Sequence, residues 1–236
     1  MKYDYMAVAQ ARLTSNRFPR KIFTQIGDKK LIDHVNDYCY KNFNKNYIFA
    51  IPDTAANNEL SAYLNQLQIL TLRGSELNVL ERFRNVIKKY QPKYFIRITS
   101  DNPFKCSEII DKMMYEFSSK RMKILTNSVN KTFPLGLEVE IVDSDFFLSN
   151  TLTIKNQDYI EHVTLGLYKL FAKETKHFMS TEDNSDIRLT IDFKSDLKAI
   201  NKIYTEIKDE VNYSTILKAY NNIYKSNRKT GHYHTE

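Results

Sequence analysis

The sequence predicts an α/β protein, a three-layer α/β/α sandwich built on a mostly parallel mixed sheet. Two observations support this prediction. Short apolar runs rich in β-branched and aromatic residues recur along the chain, and segments with helical periodicity separate several of them. Strands that alternate with helices favour parallel pairing, with helices covering both faces of the sheet. The predicted strands occupy residues 5–9, 47–51, 94–98, 123–125, 137–142 and 188–191.

Helices are predicted where apolar residues recur at spacings of three and four. These stripes occupy residues 31–39, 60–67, 79–90, 109–117, 160–170 and 197–207. The runs 123–125 and 137–142 are separated by a short connection, so we expect one antiparallel element in the sheet. The chain contains neither a G-x-G-x-x-G fingerprint nor a G-x-x-x-x-G-K-[ST] loop, which argues against a dinucleotide-binding site and a Walker-type site.

The composition is typical of one soluble globular domain. The chain has 236 residues, of which 42% are hydrophobic and 27% charged. We expect a single domain over residues 1–228, followed by a polar tail over 229–236 that contains His232 and His234. No long apolar run and no signal segment is found, and Cys39 and Cys106 lack metal-ligand spacing. We therefore expect a cytoplasmic protein with two buried cysteines.

A cluster of cations directly follows the first predicted strand. The net charge is +7, but most lysines are scattered, so the local cluster is more informative than the total. The cluster consists of Arg12, Arg17, Arg20 and Lys21. Ligands of α/β domains bind beyond the carboxyl ends of the strands. This pattern therefore indicates a polyanion site, for which a triphosphate is the obvious candidate.

Two further strands end in a carboxylate. Asp101 follows the strand 94–98, and Asp192 follows the strand 188–191, just before Asp196 opens a helix. Magnesium is commonly held by one or two carboxylates together with substrate phosphates. Taken alone, Asp101 is better explained as a helix N-cap or turn residue, and Asp192 is also explained as a turn residue. Together with the cationic loop, the two aspartates favour metal-assisted transfer of a nucleotidyl group.

Two more pairs of polar residues are candidates for an acceptor pocket. Glu138 and Glu140 lie on one face of a predicted strand because side chains alternate with a period of two. That face could equally be the solvent edge of an amphipathic strand. Glu161 and His162 lie on a predicted amphipathic helix, where a lone histidine is more often structural than catalytic.

Several segments share their residues with a known family pattern. In chain order they are Gln10 to Lys21 (pattern Q-A-R-x-x-S-x-R-x-P-G-K), Arg73 to Phe83 (R-G-S-x-x-x-V-L-x-R-[FY]), Arg97 to Pro103 (R-x-T-x-D-x-P), Phe133 to Glu140 (F-P-x-G-[LI]-[DE]-V-E), Glu161 to Thr164 (E-H-V-T) and Arg188 to Asp192 (R-L-T-x-D). The chain thereby resembles the cytidylyltransferases of the spore coat polysaccharide biosynthesis protein F-like family. More distantly it resembles the synthetases that make CMP-activated 3-deoxy-octulosonate and CMP-sialic acids.

This resemblance implies a nucleotide-diphospho-sugar transferase fold, CTP as substrate and Mg²⁺ as cofactor. The cationic loop would bind the CTP phosphates, residues 74 and 75 would lie near the cytosine, and Asp101 and Asp192 would hold the magnesium ion. The implied CTP-binding residues are Ala11, Arg12, Ser15, Arg17, Lys21, Gly74, Ser75, Arg82 and Asp101; the implied catalytic residues are Arg12, Lys21, Asp101 and Asp192; the acceptor-binding candidates are Glu138, Glu140, Glu161 and His162.

The chain departs from the family pattern at three positions. Arg20 replaces a usual glycine, so we expect the turn there to be made differently or less tightly, or Arg20 to add a cation that faces the phosphates. Ser100 replaces another frequent glycine, just before Asp101. Leu135 stands where relatives often have a polar residue, which would alter the acceptor pocket.

The leading hypothesis is a Mg²⁺-dependent cytidylyltransferase that transfers CMP from CTP to an acidic sugar, a phosphate or a phosphonate and releases pyrophosphate, for surface polysaccharide or glycan biosynthesis. Its partners would be CTP and a small-molecule acceptor, with no nucleic acid and no membrane. The resemblance also implies a homodimer that forms through residues 126–164.

Three alternatives stay open at this point. One is a nucleotidyltransferase that uses another nucleoside triphosphate with a sugar phosphate. Another is a catalytically silent relative that binds a sugar nucleotide. The third is a nucleic-acid-binding module, suggested by the basic charge and the 16 tyrosines.

Overall fold

A seven-stranded mixed sheet forms the centre of the computed structural model, which describes residues 4–207 and 211–225. The strands of this sheet and of a separate small hairpin are β1 (Tyr5–Gln10), β2 (Gln25–Ile26), β3 (Lys29–Lys30), β4 (Tyr47–Pro52), β5 (Thr71–Gly74), β6 (Tyr94–Thr99), β7 (Ile124–Thr126), β8 (Glu140–Asp143) and β9 (Thr175–His177). The large sheet has the order β5-β4-β1-β6-β8-β7-β9, and β2 pairs with β3.

Helices cover both faces of the large sheet. They are α1 (Leu31–Phe43), α2 (Asn58–Gln66), α3 (Val79–Tyr90), α4 (Ser107–Lys120), α5 (Ser144–Asn150), α6 (Gln157–Glu161), α7 (Leu165–Leu170), α8 (Asp196–Ile207) and α9 (Tyr213–Tyr220). Short 3₁₀ turns occupy Lys21–Phe23 and Ala55–Asn57, and a π-helical turn occupies Asn221–Lys225. Within the described residues, none of these helices is long and apolar enough to cross a membrane.

Most strand pairs of the large sheet are parallel. Strands β5, β4, β1 and β6 pair in parallel, and so do β7 and β9. Strand β8 runs antiparallel to both of its neighbours, β6 and β7. The predicted fold class and the expected antiparallel element are therefore confirmed.

Successive side chains of the central strands point to opposite faces of the sheet, and each face carries a hydrophobic core. Ala7 and Ala9 point into the larger core, whereas Met6 and Val8 point into the smaller one. Helices α1, α4, α8 and α9 contribute to the larger core, and α3, α5 and α7 pack over the smaller. Cys39 is buried in the larger core and is free, as expected, and burial raises the pKa of its thiol to about 12.

The prediction of a strand at 188–191 is wrong, although buried and less buried side chains do alternate along this segment. Ile187, Leu189 and Ile191 are fully buried. Their backbone groups bond to loops instead of a ladder: Leu189 N donates to Leu135 O at 2.8 Å and Ile191 N donates to Asp101 O at 2.7 Å. Apart from one isolated bridge between Leu135 and Arg188, this part of the described chain is irregular.

The predicted helix at 160–170 is divided in two. Val163 has φ = 53°, a left-handed conformation that a β-branched residue rarely adopts, and it separates α6 from α7. The predicted polar tail at 229–236 lies outside the described residues.

Candidate functional site

A cleft of about 780 Å³ opens beyond the carboxyl ends of β1 and β6. The register of this parallel pair sets Gln10 opposite Thr99, so the two strands end side by side. The cleft is lined by most of the residues that the sequence singled out: Ala11, Arg12, Ser15, Arg17, Lys21, Arg82, Asp101, Glu138, Glu140, Glu161, His162 and Asp192. The fold therefore brings together residues that lie far apart in the chain.

The cationic loop after β1 is held in a folded-back shape. Leu13 N donates to the Oδ1 of buried Asn57 at 2.8 Å, and Arg20 N donates to Leu13 O at 2.8 Å. The side chain of Thr14 also contacts the carboxylate of Glu76. These bonds hold the loop against the segments that precede α2 and α3, and three of its cations, Arg12, Arg17 and Lys21, line the cleft.

Arg82 is a buried cation that lacks a counter-ion. It is 2% exposed, it lies on α3, and its Nη1 donates to Ser75 O at 2.8 Å. Its Nε is buried without a hydrogen-bond partner, and no carboxylate of the described residues lies within salt-bridge distance of it. Burial and the nearby Arg12 lower the pKa of Arg82 to about 10, although Glu76 opposes this shift. A buried and unpaired guanidinium favours an anionic ligand.

Asp101 and Asp192 are brought close together by the backbone. Ile191 N donates to Asp101 O at 2.7 Å, which sets the segment ending in Asp192 beside the loop after β6. Thr99 Oγ1 donates to Asp101 Oδ1 at 2.8 Å and so orients that carboxylate. The two predicted strand-end aspartates therefore share one end of the cleft.

Asp192 carries a surplus of cationic partners. Its carboxylate accepts from Arg17 Nη2 at 2.7 Å, from Lys21 Nζ at 3.3 Å and from Arg188 Nη2 at 2.6 Å. Burial alone would raise the pKa of Asp192, but Lys21, Arg188 and Arg17 outweigh it and hold the pKa below its usual value. This carboxylate therefore stays ionised.

Carboxylates of this kind suit a hard divalent cation. Within 4–207 and 211–225 no group of three or more His, Cys, Asp and Glu side chains is arranged to hold a metal ion. Two carboxylates do match the way Mg²⁺ is usually bound, since that ion takes its remaining ligands from phosphate oxygens and water. The donor set thus fits a magnesium ion that arrives with a polyphosphate.

Comparison with known proteins assigns the chain to a family. A family model described as Cytidylyltransferase matches residues 6–229. The chain belongs to the cytidylyltransferase family. The expected enzyme class, a CTP-dependent nucleotidyltransferase, is confirmed, which favours an enzyme over a nucleic-acid-binding module.

Individual relatives agree with this assignment. This chain is 30% identical over 217 residues to the spore coat polysaccharide biosynthesis protein SpsF of Bacillus subtilis (strain 168). The match covers 85% of this chain and 86% of that protein. A solved cytidylyltransferase from Leptospira borgpetersenii superimposes with a TM-score of 0.88 at 22% identity, covering 99% of each chain. A CMP:2-keto-3-deoxy-manno-octonic acid synthetase solved with CTP gives a TM-score of 0.62 at 12% identity, covering 87% of this chain and 99% of that one.

The turn at Arg20 corrects one expectation from the sequence. Arg20 has φ = 60° and ψ = 18°, so this cytidylyltransferase makes the left-handed turn with an arginine in the place of glycine. The guanidinium forms two hydrogen bonds with Glu59, Nη1 to Oε2 at 2.7 Å and Nη2 to Oε1 at 2.6 Å, and does not line the cleft. The turn therefore keeps the left-handed conformation that a glycine readily adopts. Because its guanidinium lies outside the cleft, Arg20 is not the additional phosphate-facing cation that the sequence suggested.

Gly74 and Ser75 do not line the cleft but lie behind Arg82. A Cβ atom on Gly74 would come within 2.9 Å of Arg82 Cγ, and the carbonyl of Ser75 accepts from Arg82 Nη1. This segment therefore supports the buried arginine from behind. Its predicted proximity to the cytosine stays a prediction.

The two glutamates before and within β8 both line the cleft, but their environments differ. Arg97 Nη1 donates to both Glu140 oxygens, at 3.0 and 2.9 Å, and Thr164 Oγ1 donates to Glu140 Oε2 at 2.5 Å. Glu140 therefore belongs to a buried ion pair across the β6–β8 register. Glu138 forms no salt bridge with any described residue, and burial raises the pKa of its carboxyl despite nearby Lys105.

Glu161 and His162 reach the cleft at the end of α6. Glu161 Oε1 accepts from Arg12 Nη2 at 3.4 Å. The left-handed Val163 ends the helix immediately afterwards, so these two residues are held at the edge of the cleft. The predicted amphipathic helix is therefore interrupted at this point.

Some residues of the site were not predicted from the sequence. Arg188 pairs with Asp192, and Lys105 Nζ donates to Thr99 Oγ1 at 3.2 Å and to Gly136 O at 3.2 Å. Arg188 stands in a matched motif, which was a usable signal. A lone lysine between Phe104 and Cys106 carries no such signal, since its partners are fixed only by the fold.

The contrast between the two glutamates predicts a difference in stability. Glu140→Gln leaves the buried Arg97 without its counter-ion and should lower the free energy of unfolding by about 3–5 kcal/mol. Glu138→Gln is the matched control, two residues away in the same cleft. It should change stability little, because burial already disfavours the charged form of Glu138. Chemical denaturation measures both variants, and equal, small losses would show that the ion pair is not important.

Proposed function

We propose that this cytidylyltransferase transfers CMP from CTP to an acidic sugar, a phosphate or a phosphonate, with release of pyrophosphate. The observation that carries the proposal is the buried and unpaired Arg82. It shares a cleft with the cations Arg12, Arg17 and Lys21 and with the two aspartates Asp101 and Asp192. Such a site suits a polyanion that arrives with a divalent cation.

The similar proteins support CTP as donor and a surface polymer as destination. The relative from Bacillus subtilis is described as a spore coat polysaccharide biosynthesis protein. One structural neighbour is a CMP-sugar-acid synthetase complexed with CTP. We therefore propose that the product is an activated precursor for a surface polysaccharide or glycan, made in the cytoplasm.

In the proposed reaction an acceptor oxygen forms a bond with the α-phosphorus of CTP, and the bond from that phosphorus to the bridging oxygen of pyrophosphate breaks. Arg12, Arg17 and Lys21 bind the triphosphate and stabilise the charge that develops on the leaving pyrophosphate, and buried Arg82 adds a further contact to the phosphates. A hydroxyl acceptor gives its proton to solvent or a nearby base, whereas an ionised phosphate has none to lose. Asp101 and Asp192 would hold Mg²⁺, which would supply neutralising charge on the phosphates.

The ion pairs of Asp192 support an exchange of partners on binding. Without ligand, Arg17 and Lys21 neutralise Asp192. A magnesium–nucleotide complex brings a cation for the aspartates and an anion for Arg17 and Lys21. We propose that these side chains change from one charge partner to the other, so that Asp192, Arg17 and Lys21 each keep an opposite charge beside them at both stages.

The direct test is release of pyrophosphate. The purified protein is incubated with Mg²⁺ and CTP, UTP, ATP or GTP, together with a panel of nonulosonic acids, octulosonate, sugar phosphates and alkyl phosphonates. We expect pyrophosphate with CTP and one acceptor class, and a CTP-induced rise in melting temperature that exceeds that of the other nucleotides.

Asp101→Asn and Asp192→Asn test the assignment of these two residues as metal ligands. Both variants should abolish turnover while the proteins remain folded. Greater turnover with another nucleotide would favour the alternative donor. CTP binding without turnover for any acceptor would favour a catalytically silent relative. The absence of both CTP binding and pyrophosphate would refute the proposal, and near-normal rates in both variants would remove the metal assignment.

We also propose a homodimer that forms through residues 126–164. Within this segment Leu152 is 71% exposed and Val129 is 44% exposed, and contact with a second copy would remove these apolar side chains from water. Sedimentation velocity of the full chain should show a species of twice the 27.9 kDa chain mass. A monomer at micromolar concentration would contradict this proposal.

A further inference from the structure

Ser100 is a buried residue of the cleft whose hydroxyl has no partner. It follows the last residue of β6 and precedes Asp101. The residue is 6% exposed, it lines the cleft, and its Oγ forms no hydrogen bond. Buried hydroxyls are almost always hydrogen-bonded, so an exception needs a reason.

The polar side chains next to Ser100 in the same loop, those of residues 99, 101 and 102, all form hydrogen bonds. Thr99 Oγ1 accepts from Lys105 and donates to Asp101. The amide of Asn102 donates to Gly136 O at 2.7 Å, and its Oδ1 accepts from Phe104 N at 2.9 Å. These hydrogen bonds fix the conformation of the loop and therefore the position of Ser100. The lack of a partner for its hydroxyl is thus not explained by a flexible backbone.

The position of Ser100 indicates what would satisfy it. Gln10 and Thr99 are register partners, so the next residues, Ala11 and Ser100, begin the two loops that enclose the cationic end of the cleft. Ser100 thus lies between the start of the cationic loop and the candidate magnesium ligand Asp101. A hydroxyl is a suitable donor to an anionic oxygen at such a place, because hydrogen bonds to charged acceptors are stronger than neutral ones.

We propose that the Ser100 side chain, whose Oγ is almost inaccessible to solvent in the free protein, rotates toward the cleft and donates a hydrogen bond from Oγ to a phosphate oxygen of the bound nucleoside triphosphate. This inference rests on the proposed function, since it requires a triphosphate in the cleft. It adds a side-chain contact at a position where relatives frequently have a glycine, which has no side chain to donate a hydrogen bond. Ser100 is therefore a binding residue that this chain has and relatives with the glycine lack.

The test uses Ser100→Ala with a matched control. Ser144 is 2% exposed, it lies at the start of α5, and its Oγ also lacks a partner, but it does not line the cleft. Both Ser100→Ala and Ser144→Ala should keep or slightly raise the melting temperature of the free protein, because each removes an unpaired buried hydroxyl. Only Ser100→Ala should weaken CTP binding in the presence of Mg²⁺, by about 10-fold, as measured by calorimetry.

Titration with cytidine locates the contact. Ser100→Ala should bind cytidine as the wild type does, since cytidine carries no phosphate. Ser100→Gly is a second variant without the hydroxyl and should show the same loss for CTP. The melting temperature establishes that each variant is folded before binding is measured.

Each outcome decides the inference. Unchanged CTP affinity in both Ser100 variants would overturn it while leaving the proposed function intact. An equal loss for cytidine, or an effect on the acceptor KM alone, would also overturn it and would move the contact to the nucleoside or the acceptor. If the wild type binds no CTP, the proposed function fails and the assignment of Ser100 to a phosphate fails with it.

Discussion

The parallel pairing of β1 with β6 is the constraint on which the site depends. Because Gln10 and Thr99 are register partners, the cationic loop and the loop that carries Asp101 leave the sheet at the same place. The segment that ends in Asp192 is then attached to the second loop through a bond from Ile191 N to Asp101 O. Three stretches distant in sequence thus meet at one end of the sheet, where ligands of α/β domains bind.

Charge is distributed unevenly in this cleft, and the imbalance explains what it can bind. Arg17, Lys21 and Arg188 surround the single carboxylate of Asp192, whereas Arg82 is buried without a carboxylate in the described part of the chain. A bound anion would form an ion pair with Arg82 and would also attract Arg17 and Lys21. Asp192 would then be left to bind a cation. The proposed magnesium–triphosphate complex would supply both charges together.

Much of this arrangement was predictable from the sequence, for a physical reason. The central strands and the long helices bury one face or both, so the periodicity of their apolar residues is strong and their bounds agree with the prediction to within a few residues. The short strands β2, β3, β5 and β9 and the helices α5 and α9 were not predicted. A strand of two to four residues is too short to show a period, and the three-residue β7 was predicted from its apolar run alone.

Details that depend on distant partners could not be predicted. Alternation correctly set Glu138 and Glu140 toward one side, but only the β6–β8 register shows that Glu140 is paired with Arg97. The left-handed conformation of Arg20 is accompanied by a contact with Glu59, 39 residues away. The irregular path of residues 188–191 likewise follows from their bonds to two loops, although their alternating burial was correctly predicted.

The central claim is that buried Arg82 and its neighbouring cations form a triphosphate site. Calorimetric titration with CTP and with CMP at low ionic strength, for the wild type and for Arg82→Met, tests it most directly. We expect the wild type to bind CTP at least about 10-fold more tightly than CMP, and we expect Arg82→Met to reduce this difference. Equal affinity of the wild type for CTP and CMP would contradict the claim.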